Sequence, residues 1–330
     1  MKKLKKLLIF MTAAVMLFAC SSCKKVVDGC VITEAVALVE FYDADGNVAS
    51  TNEVTIQLYN NNAPKTVKHV KNLINKKYYD GCALSVVGSD TTKGFVQVGN
   101  YYYDENGVWT EKAYSYGTVA DESGRVITNQ KLTASSGSIV LKHDFKQTAG
   151  VDRHDTGKGT LMFMLSGLDD VSADDFAVIG KFLSNDGDSA VSSSASNIDE
   201  TDRSGLSSFA IINSVIDYRV NEEKDANQPT VTNKTTVWYT EYNAILGKTE
   251  DNIAYKYLKR VEVVDDGGTT TTKYYKGTTQ SDISLELSTD DTTEIKDLFS
   301  VNNSGGFKAD FYDFMLIPYR QIVVKSIRIK

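Results

Sequence analysis

At 330 residues the chain is long enough for one large or two ordinary domains, and with 42% apolar and 24% charged residues it has the balance of a globular protein with an ample core. Its 36 basic and 43 acidic side chains leave a formal charge of −7, which repels phosphate backbones and argues against nucleic acid as a partner. With three histidines, no HExxH spacing and a single CxxC pair (Cys20-Ser21-Ser22-Cys23) that has no second pair to complete a site, no metal or other cofactor is expected.

The first segment, MKKLKKLLIFMTAAVMLFAC, sets four lysines before an apolar run from Leu7 to Ala19. That run is too short and too one-sided for a spanning helix and reads as a secretory signal. It ends in Leu17-Phe18-Ala19-Cys20, which resembles the lipobox of bacterial lipoproteins: residues 1–19 would be removed and Cys20 would carry the lipid. The other reading is an ordinary cleaved signal with Cys20 and Cys23 incidental. Removing four lysines and no acids takes the charge from −7 to −11. The expectation is an extracytoplasmic protein of a bacterial cell envelope, held to the membrane by lipid, with residues 20–34 as its tether. Cys30 and Cys82 are able to pair in such a compartment, but spacing does not decide it.

From Ala35, two apolar runs flank Asp43-Ala44-Asp45-Gly46-Asn47. The acids are spaced as in a calcium loop, but no glycine follows Asn47 and no glutamate closes the loop, so a hairpin turn is expected. Pro64 then suits a first helical turn, and Val67, Val70, Leu73 and Ile74 recur at helical spacing with Lys65, Lys68 and Lys71 on other faces. His69 falls among the solvated positions. Tyr78-Tyr79-Asp80-Gly81 makes a turn into an apolar strand.

Residues 101–137, polar and rich in Tyr and Gly, read as a surface excursion. Strand-like runs follow at 138–141, 160–165 and 176–179. Residues 183–208, rich in Ser and Asp, read as a loop. The last hundred residues are rich in Thr and Tyr with strand propensity, including a hairpin around Asp265-Asp266-Gly267-Gly268, and the chain closes on the apolar strand IVVKSIRI.

The order of these pieces resembles the cyclophilin-type peptidyl-prolyl cis-trans isomerases. VTIQLYNNNAPKTVKHVKNLINKKYYDG (54–81) is similar to the family's first strand, helix and turn, and GFVQVGN (94–100) to its "FMIQGGD" strand. RHDTGKGTLMFMLSG (153–167), SADDFAVI (172–179), LSSFAIINSV (206–215) and the closing strand resemble later pieces in family order. The resemblance implies a mainly β fold: a closed eight-stranded antiparallel barrel capped by helices, spanning 35–330. Insertions would lie at 101–137, 183–205 and about 220–315, the last readable as a small β subdomain. It also implies binding of proline-containing peptides or exported proteins.

Rotation about an X–Pro bond has a barrier of about 20 kcal/mol, set by amide resonance, so a catalyst must grip the proline ring and stabilise the twisted amide. Carried over by motif, the peptide-binding positions are Phe95, Gln97, Met164, Phe176 and Phe209, with Met164 standing for a smaller residue and tending to fill the pocket. The family arginine, from "FHRV", falls on Val86, so no catalytic residue is assigned. Trp109 and Trp238 lie in inserted segments. Two functions follow: a membrane-anchored isomerase that assists folding of exported proteins, weakened by Val86, or an inactive cyclophilin-like binding lipoprotein for a peptide, glycan or envelope partner.

Overall fold

The computed structural model describes residues 25–87, 94–120, 122, 132, 134–143, 157–165, 177–183, 203, 205–239, 255–288, 292 and 315–330. Within them the chain is mainly β. The elements run β1 (Val26–Val27), β2 (Cys30–Tyr42), β3 (Val48–Tyr59), α1 (Pro64–Asn75), β4 (Cys82–Ala83), β5 (Ser85–Val87) and β6 (Phe95–Val98). They continue with β7 (Tyr101–Tyr103), β8 (Trp109–Glu111), β9 (Ser138–Leu141), β10 (Leu161–Met164) and β11 (Val178–Phe182). A short helix α2 (Ser208–Asn213) and a 3-10 turn (Ser214–Arg219) lead to β12 (Asn221–Lys224), β13 (Thr232–Tyr239), β14 (Tyr257–Val264), β15 (Thr270–Gly277), β16 (Leu285–Glu286), β17 (Met315–Leu316) and β18 (Ile322–Ile329).

Strands β2 and β3 form the expected hairpin. Its turn is held by Asp43, whose Oδ1 accepts from the backbone N–H of Asp45 (2.9 Å) and of Asn47 (2.8 Å), so this acid serves the turn. Asp265 does the same between β14 and β15, accepting from Gly267 (3.0 Å) and Thr269 (2.7 Å).

Alternation then builds the barrel. Val54, Ile56 and Leu58 of β3, Val96 and Val98 of β6, Ile139 and Leu141 of β9, and Leu161 and Phe163 of β10 all enter one cluster with Val39 and Phe41. Antiparallel pairings run β18–β2–β3–β11–β9–β10–β6–β5. The circuit returns through the bent segment 82–87: β4 pairs with β18, β5 pairs with β6, and Leu84 donates its N–H to Ile322 (2.9 Å). The eight-stranded ring is therefore a circuit broken into two short strands at Leu84, not one unbroken closed ladder.

Helix α1 forms where its spacing predicts. Val67, Val70, Leu73 and Ile74 face the barrel core, and Pro64 occupies the first turn. Its N-terminal N–H groups find no cap at Ala63. Glu122 supplies one instead, its Oε2 accepting from Thr66 N (2.8 Å) and Thr66 Oγ1 (2.9 Å). Ile211, Ile212, Val215 and Ile216 of α2 and the 3-10 turn complete the same core.

The 101–137 segment departs from its reading as a surface excursion. β7 and β8 form a hairpin whose Trp109 is 1% exposed, stacked on Tyr101 at 5.0 Å and edge-on to Tyr103 at 5.4 Å. Further on, Val119 and Glu122 are buried as well. Tyrosine-rich composition looks polar, yet each ring carries a large apolar area that burial rewards. The late strands meet this hairpin: Tyr257 Oη donates to Trp109 O (3.2 Å), and Trp109 N donates to Gln280 Oε1 (3.3 Å). They also prolong the barrel sheet, because β13 pairs with β17 and β17 pairs with β5 at Leu316–Val86. The loop expected over 183–208 lies mostly outside the described residues, and its end leads into α2 at Ser208. Cys30 and Cys82 are both free and buried, and burial pushes both thiols up, so neither is poised as a thiolate nucleophile.

Because Trp109 keys the hairpin to strands far along the chain, Trp109→Ala is expected to cost roughly 3–5 kcal/mol in denaturant unfolding. A loss below about 1 kcal/mol, within the range of surface substitutions, would show that the hairpin is not held by this side chain.

Candidate functional site

In an antiparallel ladder, directly paired residues point to the same face. Phe95 pairs with Met164, and Gln97 pairs with Met162 on one side and with Ser85 on the other. Phe95, Gln97, Met162, Met164 and Ser85 therefore share the outer face of the barrel, opposite the core cluster. Phe95, Met162 and Met164 belong to a second buried cluster with Val140, Val178, Ala134, Met315 and Ile317. The motif-derived positions Phe95, Gln97 and Met164 are thus brought together.

The other positions are not. Val86 pairs with Val96 and with Leu316, all three in the inner cluster, so its side chain points away from Gln97. The β5 side chain beside Gln97 is that of Ser85. Phe209 sits on α2, partly buried against the inner cluster. Phe176 and Cys20 lie outside the described residues. Ser85 and Met162 were not singled out by motif; each is the residue directly opposite Gln97 on its ladder, which only the register reveals.

This face is closed. Phe95 and Met164 are fully buried and Gln97 is 2% exposed. Neither Oε1 nor Nε2 of Gln97 has a hydrogen-bond partner among the described residues. A buried amide without partners costs about 1–3 kcal/mol, so the position is held against a local penalty. The strands that make the face, β5, β6, β9 and β10, carry no charged side chain. Chemically the arrangement offers an aromatic and thioether lining for an apolar ring and one amide able to pair with a peptide group. These four strands offer no cation for a developing charge. Among the described residues no group of acidic, histidine or cysteine side chains is placed to hold a metal ion.

Residues 45–170 match the family model described as cyclophilin type peptidyl-prolyl cis-trans isomerase/CLD. The matched stretch, somewhat over a third of the chain, contains Phe95, Gln97, Met164 and Val86 but neither Phe176 nor Phe209. Among solved structures, the chain is similar to a Cryptosporidium parvum cyclophilin type peptidyl-prolyl cis-trans isomerase, at 15% identity and a TM-score of 0.32, over 47% of this chain and 79% of that one. A second crystal structure, of the same kind of isomerase in the presence of the dipeptide Ala-Pro, gives 17% identity and a TM-score of 0.29, over 45% and 79%. No curated protein matches the chain.

If the Gln97 amide is unpartnered in the folded protein, replacing it with an apolar residue of similar size removes the penalty. Gln97→Leu is expected to raise unfolding stability by about 1–3 kcal/mol. A loss of stability would mean that the amide has a partner, such as a bound water or ligand.

Proposed function

We propose that this protein is a cyclophilin-type peptidyl-prolyl isomerase-like protein of the bacterial envelope, carried on a lipid at Cys20, with weak turnover toward proline-containing segments of exported proteins. The observation that carries the proposal is the family match over residues 45–170, with Phe95, Gln97 and Met164 gathered on one face inside it. The Phe and Met side chains would line a proline ring and Gln97 would pair with the adjoining peptide. Weakness follows from two features. No cationic donor stands on β5, β6, β9 or β10, and losing one preorganised donor costs on the order of 10²–10³ in rate. The face must also open before a polypeptide enters.

Burial of the face favours a second reading, a binding barrel in which catalysis has been lost. Peptide isomerisation assays on the chain from residue 20 onward separate the two. The first reading expects acceleration above buffer that falls in Gln97→Leu while the fold persists. A rate equal to buffer in both would leave the binding reading.

Lipid attachment is supported by the LFAC stretch, and among the described residues no helix is long and apolar enough to cross a membrane. Cys20→Ser is expected to move the protein from the membrane fraction to the soluble one and to abolish an acyl mass shift. Membrane retention without acylation would overturn the anchor.

A further inference from the structure

Helix α1 has two faces with different employment. Val67, Val70, Leu73 and Ile74 take the arc toward the core, and the opposite arc carries Lys65, Lys68 and Lys71 three residues apart, about 4.5 Å along the axis from one to the next. An open groove of about 730 Å³ runs along this arc, lined by the three lysines with His69, Asn72 and Thr118 among others, and none of its described lining residues is acidic. Lys71 Nζ donates to Thr33 Oγ1 (3.1 Å) and to Asn60 Oδ1 (3.4 Å). Lys65, Lys68 and Lys71 make no ion pair with a described residue. On a chain with a formal charge of −7, a groove whose described lining carries lysines and no acid is a local inversion of sign.

The groove also lies where the chain enters the barrel. Ile32 donates to Lys25 O (3.0 Å), Asn60 donates to Val31 O (2.8 Å), and Val31 N donates to Asn61 Oδ1 (2.7 Å), so the start of β2 is fastened to the turn that opens α1. The acids of this corner are already engaged: Glu34 is paired with Lys25, and Asp28 accepts from Tyr59 Oη (2.6 Å) and lies 2.9 Å from Lys181 Nζ. Lys25 stands five positions after Cys20 in the sequence, a span that reaches roughly 17 Å at most.

We propose that the lysine face of α1 docks on anionic lipid headgroups, so that the membrane holds the barrel with its chain-entry corner down. The choice of a lipid surface over an acidic polypeptide rests on the Cys20 anchor proposed above, because a tether this short confines the corner to the neighbourhood of the bilayer. The attraction acts within a Debye length, about 8 Å at physiological salt, which that confinement satisfies. Docking leaves the rest of the barrel pointing away from the membrane.

The test uses the chain from residue 20 with Cys20→Ser, which has no lipid and reports on the helix face alone. Its co-sedimentation is measured with vesicles of phosphatidylcholine and with vesicles containing phosphatidylglycerol, at low and raised salt. Binding to the anionic vesicles only, weakening with salt, is expected. Each lysine near an anionic surface contributes about five-fold, so the triple variant Lys65→Glu, Lys68→Glu, Lys71→Glu should lose on the order of 100-fold or more. Lys224→Glu, on β12, changes charge without touching the groove and should bind nearly as the parent does, while far-UV circular dichroism confirms that all variants fold. Equal loss in both variants, or no preference for anionic vesicles in the parent, overturns the proposal. Lysine-dependent binding to polyglutamate with none to vesicles overturns it in favour of an acidic polypeptide. None of these outcomes depends on whether Cys20 is acylated in cells, so a failure of the anchor remains distinguishable.

Discussion

The site depends on one constraint: β6, β9 and β10 are buried on both faces. Their sequences, FVQV, SIVL and LMFM, leave no solvated side, and every residue in them is buried. Strands of this kind are usual where a sheet is covered twice. Inward, Val96, Val98, Ile139, Leu161 and Phe163 fill the barrel; outward, Phe95, Val140, Met162 and Met164 fill a second cluster. Each large outward side chain gains about 1.5–3 kcal/mol by burial, and three of them together outweigh the 1–3 kcal/mol that the unpartnered Gln97 amide costs. Closure of the face is therefore the favoured state, and an exposed groove would need a ligand or partner to repay the difference.

Much of the barrel was legible because it is built from local signals. The turns at Asp43 and Asp265 are made by side chains bonding to their own backbone within four residues, and α1 is declared by Pro64 and its apolar spacing. What was not legible depends on register. A motif transfers positions along the chain, but the face on which a side chain lies is decided by its partner across the ladder. Val86 stands at the motif position of the arginine, yet pairing with Val96 and Leu316 turns it inward and leaves Ser85 beside Gln97. Shifting a strand by one residue exchanges its faces, so one position of motif offset is enough to cause this. Phe209 differs for another reason: a one-turn helix, not a strand, carries it against the inner cluster.

Long-range aromatic contacts were the other hidden element. Nothing near Trp109 announces that Tyr257, 148 residues later, will donate to its carbonyl, or that Tyr239 will pack against Tyr101 at 5.1 Å. These contacts tie the hairpin β7–β8 to the strands β13 and β14, and the pairing of β17 with β5 ties the same strands to the barrel edge. The added length thus does not hang from the barrel as a separate appendage along this edge. It continues the sheet and seals the outer face at its margin, where Met315 and Ile317 join the cluster of Phe95 and Met164.

That sealing bears on where the molecule is able to meet others. A surface committed to packing on both sides is constrained at every position, whereas the outer arc of α1 contributes nothing to the core. Its lysines are free of the packing that fixes Val67 and Val70 on the other arc, and Glu122 is turned onto the backbone of Thr66 at the helix start. There it satisfies a donor of the first turn. The same helix that buries one arc in the barrel thus presents on the other an open groove lined by lysines, while the face of Phe95, Gln97 and Met164 lies closed on the opposite side of β6. Contacts at that outer face require the sheet margin to yield first.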